Sequence, residues 1–441
     1  MKRLAGRLKR IGVCDNLIRR PPFVYGHAFR LARRLEQADL EERRAFTAHR
    51  LRAILSAAAK TRYGRKYAGK PIEEWPYLDR DQVRDNPGDF VLGPAWLGSC
   101  AATTGTSGVP LQLCRSLRNV VNEQVRIDTL FLRSGIDPYK AKVAVLRGDD
   151  IKSPADTSPP YWILANAGKR LVFSSNHLNS ETIPFFHRAL AEYAPDCIAA
   201  YPTMLASLCG LLRRFDLRLR VPLVLCSSEV LTTEAWHAAQ EVLGAKVVDY
   251  YGQAERVAFA AAFQPETFTF VPGYAYVELL PAGEEPGAKL YEVAGTNLWN
   301  TKMPLVRYRT GDLLRLPNTR GPWDAELLTH GLQAFPGIIG RQGDYLIRPD
   351  GAPIMGIDHI PRSVDHVLRT QVIQEDLHTV RILVLPGPGF SEVQVRQLLH
   401  NASIKIPPEM KVNVEVVEQL EQGSGAKTPF VIRRFEAKQP V

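Results

Sequence analysis

Hydroxyl and glycine residues are concentrated in the segment TTGTSGVP at residues 103–110. Backbone amides at glycines, together with Thr and Ser hydroxyls, suit the oxygens of a phosphate chain. The segment is not a Walker A loop, because no Gly-Lys-Ser/Thr triplet follows and because Pro110 with alternating Leu111 and Leu113 predicts a strand. A hairpin turn is the alternative. The residues predicted to bind phosphate are Thr103, Thr104, Gly105, Thr106, Ser107 and Gly108.

Three later segments combine a carboxylate with glycine and an aromatic or basic residue: YGQAE at 251–255, YRTGD at 308–312 and GRQGD at 340–344. The Glu255 carboxylate is suited to a divalent cation, and the two oxygens of Asp312 are suited to a pair of hydroxyls. Taken alone, Asp312 is more typical of a turn and Arg341 of a solvated surface. The three segments become informative through their order along the chain.

That order resembles the adenylate-forming enzymes, within them the phenylacetate-CoA ligase type and its capsule-biosynthesis-like relatives. Lys427, which follows GSGA near the C terminus, lies where that family keeps a catalytic lysine. The similar segments, in chain order, are 78–87, 103–110, 201–203, 251–255, 308–312, 340–344 and the lysine at 427. The resemblance therefore covers nearly the whole chain.

The resemblance implies that ATP and Mg²⁺ activate a small-molecule carboxylic acid as acyl-AMP, and that the thiol of coenzyme A then accepts the acyl group. It implies catalytic roles for Lys427 and for Glu255, which would also hold the metal. Gly343 lies where the family usually has an aspartate at its hinge. Outside the phosphate loop, the residues expected to bind ATP are Tyr251, Gly252, Asp312 and Arg341.

The acid itself is expected to contact aromatic and small side chains, which favour an aryl or compact hydrophobic carboxylate. The residues expected to line this pocket are Tyr201, Pro202, Ser228, Tyr250 and Ala254. Capture of the adenylate by an amine or a carrier-protein thiol is one alternative. A non-catalytic nucleotide-binding or membrane-peripheral scaffold is another, and acid-dependent release of pyrophosphate distinguishes it from the enzyme.

The elements that must position these residues follow from apolar periodicity. Apolar runs at 197–201, 221–226 and 246–251 alternate with helical patterns at 203–215 and 233–243, the second of which ends at Gly244. This β-α-β-α-β order predicts a parallel sheet whose carboxyl strand ends carry the ligand.

Further strands are predicted at 142–147 and 170–174, and antiparallel strands at 274–280 and 289–296. A glycine-rich turn is predicted at 337–340. The last hundred residues predict a strand, a hairpin at Asp350-Gly351, a helix, a strand, a helix and a strand.

The predicted class is therefore α/β. A large N-terminal domain, residues 1–339, is expected to contain parallel-type sheets flanked by helices, and residues 340–441 are expected to form a small mobile α+β C-terminal lid domain.

Composition excludes several classes of protein. The chain has 441 residues, of which 45% are hydrophobic and 23% charged, as in globular proteins. No apolar run reaches the length of a membrane span, since even 189–212 contains Glu192 and Asp196. Six cysteines without CxxC spacing predict free thiols and a cytoplasmic protein.

Positive charge is concentrated in residues 1–70, a predicted basic helical lead-in with 19 Lys or Arg against 5 Asp or Glu. Aromatic side chains are absent among these charges until Phe23, so nucleic acid is not an expected partner. A solvated helical surface is predicted, with contact to an anionic membrane surface as the alternative. The sequence leaves the oligomeric state open, a homodimer included.

Overall fold

The computed structural model describes residues 18–94, 98–102, 111–147, 151–152, 156–174, 177–285, 287–320, 322–341, 346–349, 353–354, 357, 360–361, 364–421 and 429–435. The α-helices among them are α1 (Pro22–Gln37), α2 (Leu40–Ala58), α3 (Arg80–Asp85), α4 (Leu117–Arg133), α5 (Ile183–Tyr193), α6 (Pro202–Arg214), α7 (Thr233–Leu243), α8 (Ala325–Thr329) and α9 (Glu392–Lys405).

The strands are β1 (Ser99–Ala102), β2 (Gln112–Arg115), β3 (Val143–Leu146), β4 (Trp162–Ala165), β5 (Arg170–Phe173), β6 (Cys197–Ala200), β7 (Leu223–Ser227), β8 (Lys246–Gly252), β9 (Phe259–Ala262), β10 (Thr269–Phe270), β11 (Ala275–Glu285), β12 (Ala288–Asn297), β13 (Tyr308–Pro317), β14 (Ile338–Arg341), β15 (Leu346–Ile347), β16 (Pro353–Ile354), β17 (Val367–Gln374), β18 (Thr379–Pro386), β19 (Lys411–Val416) and β20 (Val431–Arg433).

The chain forms two compact units that are interleaved in sequence. The first takes its residues from Met1–Lys142, Leu164–Arg170 and Val248–Ile338, and the second from Val143–Ile163, Leu171–Val247 and Ile339–Val441. The division into domains 1–339 and 340–441 stays a prediction.

Two helices open the first unit, where the periodicity predicts one helical region. The chain breaks between them at Ala38, and the side chain of Asp39 then caps α2 by accepting the amide of Glu42 at 2.9 Å. Helix α1 packs against α4 through a small apolar cluster. The buried residues of that cluster are Tyr25, Ala28, Ala32, Val121 and Val125.

Three antiparallel groups of strands are described in the first unit. Strands β11, β12 and β13 form a meander, which confirms the antiparallel strands predicted from the alternation. Strand β9 pairs antiparallel with β8 on one side and with β10 on the other. Strand β2 confirms the strand predicted after the phosphate segment, and its antiparallel partner β1 ends at Ala102, directly before that segment.

Strands β7, β6, β3 and β5 lie side by side in this order at the centre of the second unit. The β3–β6 and β6–β7 pairs are parallel, and every residue of β6 and β7 is buried, as expected where helices cover both faces. Helix α7 ends at Gly244, which adopts a left-handed φ of 62°. The predicted α/β class and its helical crossovers are thereby confirmed.

The C-terminal part of the second unit differs from the predicted order. The described residues between β16 and β17 contain no α-helix, and β17 pairs directly with β18 as a hairpin. Ile357, Ile360 and Val364 are buried at helical spacing, which explains the prediction. Pro361 has no amide to donate, so the chain makes separate turns there. The glycine-rich turn predicted at 337–340 is largely strand β14.

Gly295 in β12 tests how closely the first unit is packed. A Cβ at this position would lie 2.0 Å from the carbonyl oxygen of Val257, so Gly295→Ala must displace backbone. We expect the variant to lose about 1–3 kcal/mol of the free energy of unfolding, measured by urea denaturation. Gly88→Ala is the control, because its Cβ would meet no atom within 4 Å, and we expect a change below about 0.5 kcal/mol. Equal stability of both variants would contradict this packing.

Candidate functional site

A bulge in β13 positions Asp312. Thr310, Gly311 and Asp312 of β13 lie opposite the single residue Val293 of β12, and a bulge of this kind re-aims side chains out of the regular ladder. Gly311 has a φ of 72°, which glycine adopts without a steric penalty. The Thr310 hydroxyl donates to the Val293 carbonyl oxygen at 2.6 Å and accepts the Asp312 amide at 3.0 Å. The backbone that carries the Asp312 carboxylate is therefore held from both sides.

A buried carboxylate supports the same bulge. Glu292 is 3% exposed; its Oε1 accepts the amide of Gly311 at 3.1 Å, and its Oε2 accepts Nε and Nη2 of Arg309 at 3.0 and 2.5 Å. These hydrogen bonds raise the pKa of Arg309. Sequence analysis missed Glu292, and the signal that could have found it is an acidic residue inside an otherwise apolar strand.

The structure brings Tyr251 and Asp312 together although 61 residues separate them. The Tyr251 hydroxyl donates to Oδ2 of Asp312 at 2.7 Å and accepts from Nε2 of Gln253 at 2.9 Å. Oε1 of Gln253 in turn accepts the amide of Ala258 at 3.2 Å, which ties the chain after Gly252 into a turn. Asp312 is 6% exposed, so its carboxylate is held in one place beside an aromatic ring. A flat ring beside a paired acceptor suits the base and ribose of a nucleotide.

Glu255 lies in the turn that follows β8, and the first residue of β13 holds its side chain. The buried Tyr308 hydroxyl donates to its Oε1 at 3.0 Å. Leu78 binds this start of β13 through two backbone hydrogen bonds, to the Arg307 carbonyl at 3.0 Å and from the Arg309 amide at 2.9 Å. The segment 78–87 is thus connected to the motif that holds Glu255.

Arg115, which sequence analysis missed, also contacts this turn. Its Nη2 donates to the carbonyl oxygen of Ala254 at 2.7 Å. Burial, together with the neighbouring positive charge of Arg256, lowers the pKa of Arg115 to about 10. Arg115 therefore remains a cation at neutral pH, next to Glu255. A partly buried cation beside a carboxylate is suited to a phosphate chain that carries its own metal ion.

The second unit contains a separate cluster at the carboxyl ends of β6 and β7. Tyr201 and Pro202 begin α6, with Pro202 at the first helical position, and Ser228 after β7 has a left-handed φ of 76°. Next to Ser228, the Glu229 side chain is 6% exposed. Its Oε2 accepts the amide of Thr203 at 3.0 Å.

Arg369 of β17 pairs with the same oxygen of Glu229, and it is the residue of this cluster that sequence analysis missed. Burial lowers the pKa of Arg369, and the charge of Glu229 opposes that effect. Within the part of the chain that the structure describes, Oε1 of Glu229 is buried and accepts no hydrogen bond, so the cluster retains one acceptor.

The predicted acid-pocket residues are divided between the units. Tyr201, Pro202 and Ser228 lie in the second unit, and Tyr250 and Ala254 in the first. The ring of Tyr250 stacks on Phe259 at 5.4 Å between centroids, and Ala254 packs against the apolar cluster that contains Tyr308.

Several predicted residues lie outside the described part of the chain. They are Thr103, Thr104, Gly105, Thr106, Ser107, Gly108, Gly343 and Lys427. The backbone of Arg341 belongs to β14, but its side chain is likewise outside the description. Their roles stay predictions.

Three further observations apply to the described residues alone. No group of three or more His, Cys, Asp or Glu side chains among them could hold a metal ion. Cys114, Cys197, Cys209 and Cys226 are buried, and none of these four forms a disulfide bond. None of the helices in this part of the chain has both the length and the apolar character needed to cross a bilayer.

Two family models match the chain. That of the AMP-binding enzymes matches residues 157–338, and that of the CapK C-terminal domain matches residues 346–434. The chain is 18% identical over 382 residues to Protein CapK of Staphylococcus aureus, covering 85% of this chain and 82% of that protein. It is 24% identical over 335 residues to phenylacetate-coenzyme A ligase of Pseudomonas putida, covering 70% and 69%.

The fold is also found in solved structures. 2-Hydroxyisobutyryl-CoA ligase in the postadenylation state, in complex with R3-HIB-AMP, superimposes with a TM-score of 0.60 at 15% identity, covering 89% of this chain and 90% of that one. The open conformation of that ligase, in complex with 2-HIB-AMP and CoA, gives a TM-score of 0.51 at 17% identity, covering 89% and 91%. At these identities the likeness establishes the fold.

Asp249 in β8, two residues before Tyr251, provides a test of the electrostatics of this strand. Burial raises the pKa of its carboxyl group well above the usual range, and a hydrogen bond from the Tyr250 amide only partly opposes this. Above pH ~4 the unfolded chain releases this proton while the folded chain keeps it, so the wild type loses stability as pH rises towards the folded-state pKa. Asp249→Asn removes that loss.

We therefore expect the stability of Asp249→Asn relative to wild type to increase between pH 5 and 7, by up to about 1.4 kcal/mol per pH unit. Urea denaturation across this range measures it. Asp376→Asn is the control: the amide of His378 holds the pKa of the Asp376 carboxyl below its usual range, so both states are ionised above pH 5 and no pH dependence is expected. A pH-independent difference for Asp249→Asn would contradict a neutral Asp249.

Proposed function

Because the chain belongs to the adenylate-forming superfamily, in the branch that contains phenylacetate-CoA ligase and CapK, we propose that it is an ATP-dependent acid–thiol ligase. A carboxylate oxygen of the acid would attack the α-phosphorus of ATP, and pyrophosphate would leave with the electrons of the broken phosphorus–oxygen bond. The thiol of coenzyme A would then attack the acyl carbonyl, release its proton and expel AMP.

The observation that carries the proposal is the hydrogen bond between the Tyr251 hydroxyl and Asp312. It places an aromatic ring and a buried carboxylate side by side, from two motifs distant in sequence. The ring suits stacking against adenine, and the carboxylate suits the ribose hydroxyls, with Oδ1 as a further acceptor beside the Oδ2 that binds Tyr251. Gly252, directly after the ring, has no side chain to obstruct the base.

The phosphate end of ATP is assigned to Glu255, Arg115 and the segment 103–108. Arg115 holds the backbone carbonyl of residue 254 and carries a positive charge that favours the phosphate oxygens. Mg²⁺ fits this part of the site, because one or two protein carboxylates plus substrate phosphates are its usual ligands, and Glu255 would be the protein ligand. When bound, Mg²⁺ neutralises negative charge on the phosphates.

The assignments of Lys427, Arg341 and Gly343 extend the proposal. The Lys427 ammonium would stabilise the charge that develops on the α-phosphate and carboxylate oxygens during adenylation. Arg341 would contact the nucleotide. Gly343, which tolerates large changes of φ and ψ, would be the pivot between the two half-reactions.

We propose an aryl or compact hydrophobic carboxylate as substrate, in keeping with the aromatic and small side chains that the sequence predicts around the acid. The related ligases support this size class, since one acts on phenylacetate and another is complexed with 2-HIB-AMP and CoA. Coenzyme A is the proposed acceptor on the same grounds. An amine or a carrier-protein thiol is the alternative acceptor.

Acid-dependent exchange of labelled pyrophosphate into ATP, screened over a panel of carboxylic acids, tests the proposal. We expect exchange with at least one aryl or compact apolar acid. Glu255→Gln should lose most of this activity because the metal loses its protein ligand. Asp312→Ala should chiefly raise the KM for ATP, by the equivalent of about 1–3 kcal/mol for unpaired polar groups.

Glu241→Gln is the matched control, since Glu241 is an exposed residue that pairs with Arg213 at the surface, and wild-type exchange is expected for it. Wild-type exchange in Glu255→Gln and Asp312→Ala would remove these site assignments. Absence of exchange for every acid in the wild type would favour the non-catalytic scaffold.

A further inference from the structure

A cavity of about 250 Å³ lies within the first unit, among α1, α2, α4, β9 and β10. It is smaller than the usual site for a drug-sized ligand but has room for several water molecules or one small molecule. Its charged lining residues are Glu36, Arg43, Arg126 and Arg133. The three cations and one carboxylate that line this cavity have a summed charge of +2.

Arg126 is the most unusual of these residues. It is 2% exposed, and its Nη2 donates to the carbonyl oxygen of Pro272 at 3.1 Å. Its Nε and Nη1 are buried and have no hydrogen-bond partner among the described residues. An unpaired donor on a buried charged group costs more stability than one on a buried neutral group. Such donors are therefore expected where a further group accepts their hydrogen bonds.

The guanidinium of Arg126 is positively charged at neutral pH. Burial lowers the pKa of its guanidinium to about 10, which still leaves the group protonated. Among the described residues no carboxylate lies within salt-bridge distance of Arg126, and Glu36 and Glu123 act on it only through longer-range attraction.

The other two arginines are fixed without being neutralised. Arg43 donates to three backbone carbonyl oxygens, those of Glu36, Ala38 and His330, at 2.8 to 2.9 Å. The guanidinium of Arg133 lies over the ring of Phe263 at 3.8 Å from its centroid. Both side chains are thus positioned before any ligand arrives, which reduces the entropy that binding would cost.

We propose that this cavity is a binding site for a small dianion, either a phosphate or a dicarboxylate, with Arg126 as its central ligand and Arg43 and Arg133 beside it. Two negative charges match the local charge of +2. Guanidinium groups bind both phosphate and carboxylate oxygens through charge-assisted hydrogen bonds. The bound dianion would join the ends of α1 and α2 to α4 and β10, and it would stabilise the first unit.

The site is distinct from the proposed nucleotide site. Neither Tyr251, Glu255 nor Asp312 lines the cavity. Its β9 residue, Ala261, pairs with Tyr250, whereas Phe259 at the other end of β9 pairs with Gly252 beside the nucleotide motif. Binding of a dianion in this cavity therefore does not require that the protein activate an acid.

Calorimetric titration with inorganic phosphate and with malonate, at constant ionic strength and with saturating ATP present, tests the proposal. We expect saturable binding of at least one dianion, accompanied by a rise in Tm, and no such effect of acetate or chloride. Phosphate alone would identify a tetrahedral oxyanion site, and malonate alone a dicarboxylate site.

Arg126→Gln and Arg133→Gln should each weaken this binding at least tenfold, whereas Arg52→Gln, at an exposed position of α2, should bind like wild type. Pyrophosphate exchange should be unchanged in Arg126→Gln, which separates this site from the nucleotide site. If Arg126→Gln does not fold, the affinity of Arg133→Gln for the dianion tests the proposal instead. Absence of saturable binding in the wild type, or wild-type affinity in a folded Arg126→Gln or Arg133→Gln variant, would overturn the proposal.

Discussion

The hydrogen bond from the Tyr251 hydroxyl to Asp312 is the interaction on which the proposed nucleotide site depends. It joins the end of β8 to the bulge of β13, two elements that their own ladders would leave independent. Gln253 orients the same hydroxyl and also holds the following turn. Glu255, at the end of that turn, is reached by Tyr308 at the start of β13. Two hydrogen bonds between two motifs therefore set the position of both carboxylates.

Buried charge recurs around this site, and its consequences differ from residue to residue. Glu292 is fully satisfied by Arg309 and the Gly311 amide, so it stabilises the bulge. Asp249 has no arginine partner among the described residues, and burial raises the pKa of its carboxyl group well above the usual range. Arg126 remains charged with two donors unpaired, which is the condition expected of a ligand site rather than of a structural ion pair.

Features that depend on local sequence were predictable, and features that depend on distant contacts were not. The end of α7 at Gly244 and the strand after the phosphate segment follow from backbone preferences and alternation. The prediction that 251–255 and 308–312 form one site rested on a family resemblance, because the number of residues between two segments does not determine how far apart they lie in the fold. Arg369 illustrates the limit: its contact with Glu229 crosses 140 residues, and each residue alone is typical of a solvated surface. Ile357, Ile360 and Val364 show the converse limit: they are buried at helical spacing, yet the described residues around them contain no α-helix.

A double-mutant cycle on nucleotide binding tests the central claim most directly. The dissociation constant of ATP is measured by calorimetry for wild type, Tyr251→Phe, Asp312→Asn and the double variant. If the two side chains act as one unit, the two single changes should each weaken binding and the double variant should lose less than their sum, with a coupling energy of about 1 kcal/mol or more. Additive losses, or ATP affinity unchanged in both single variants, would contradict the claim that this hydrogen bond builds the nucleotide site.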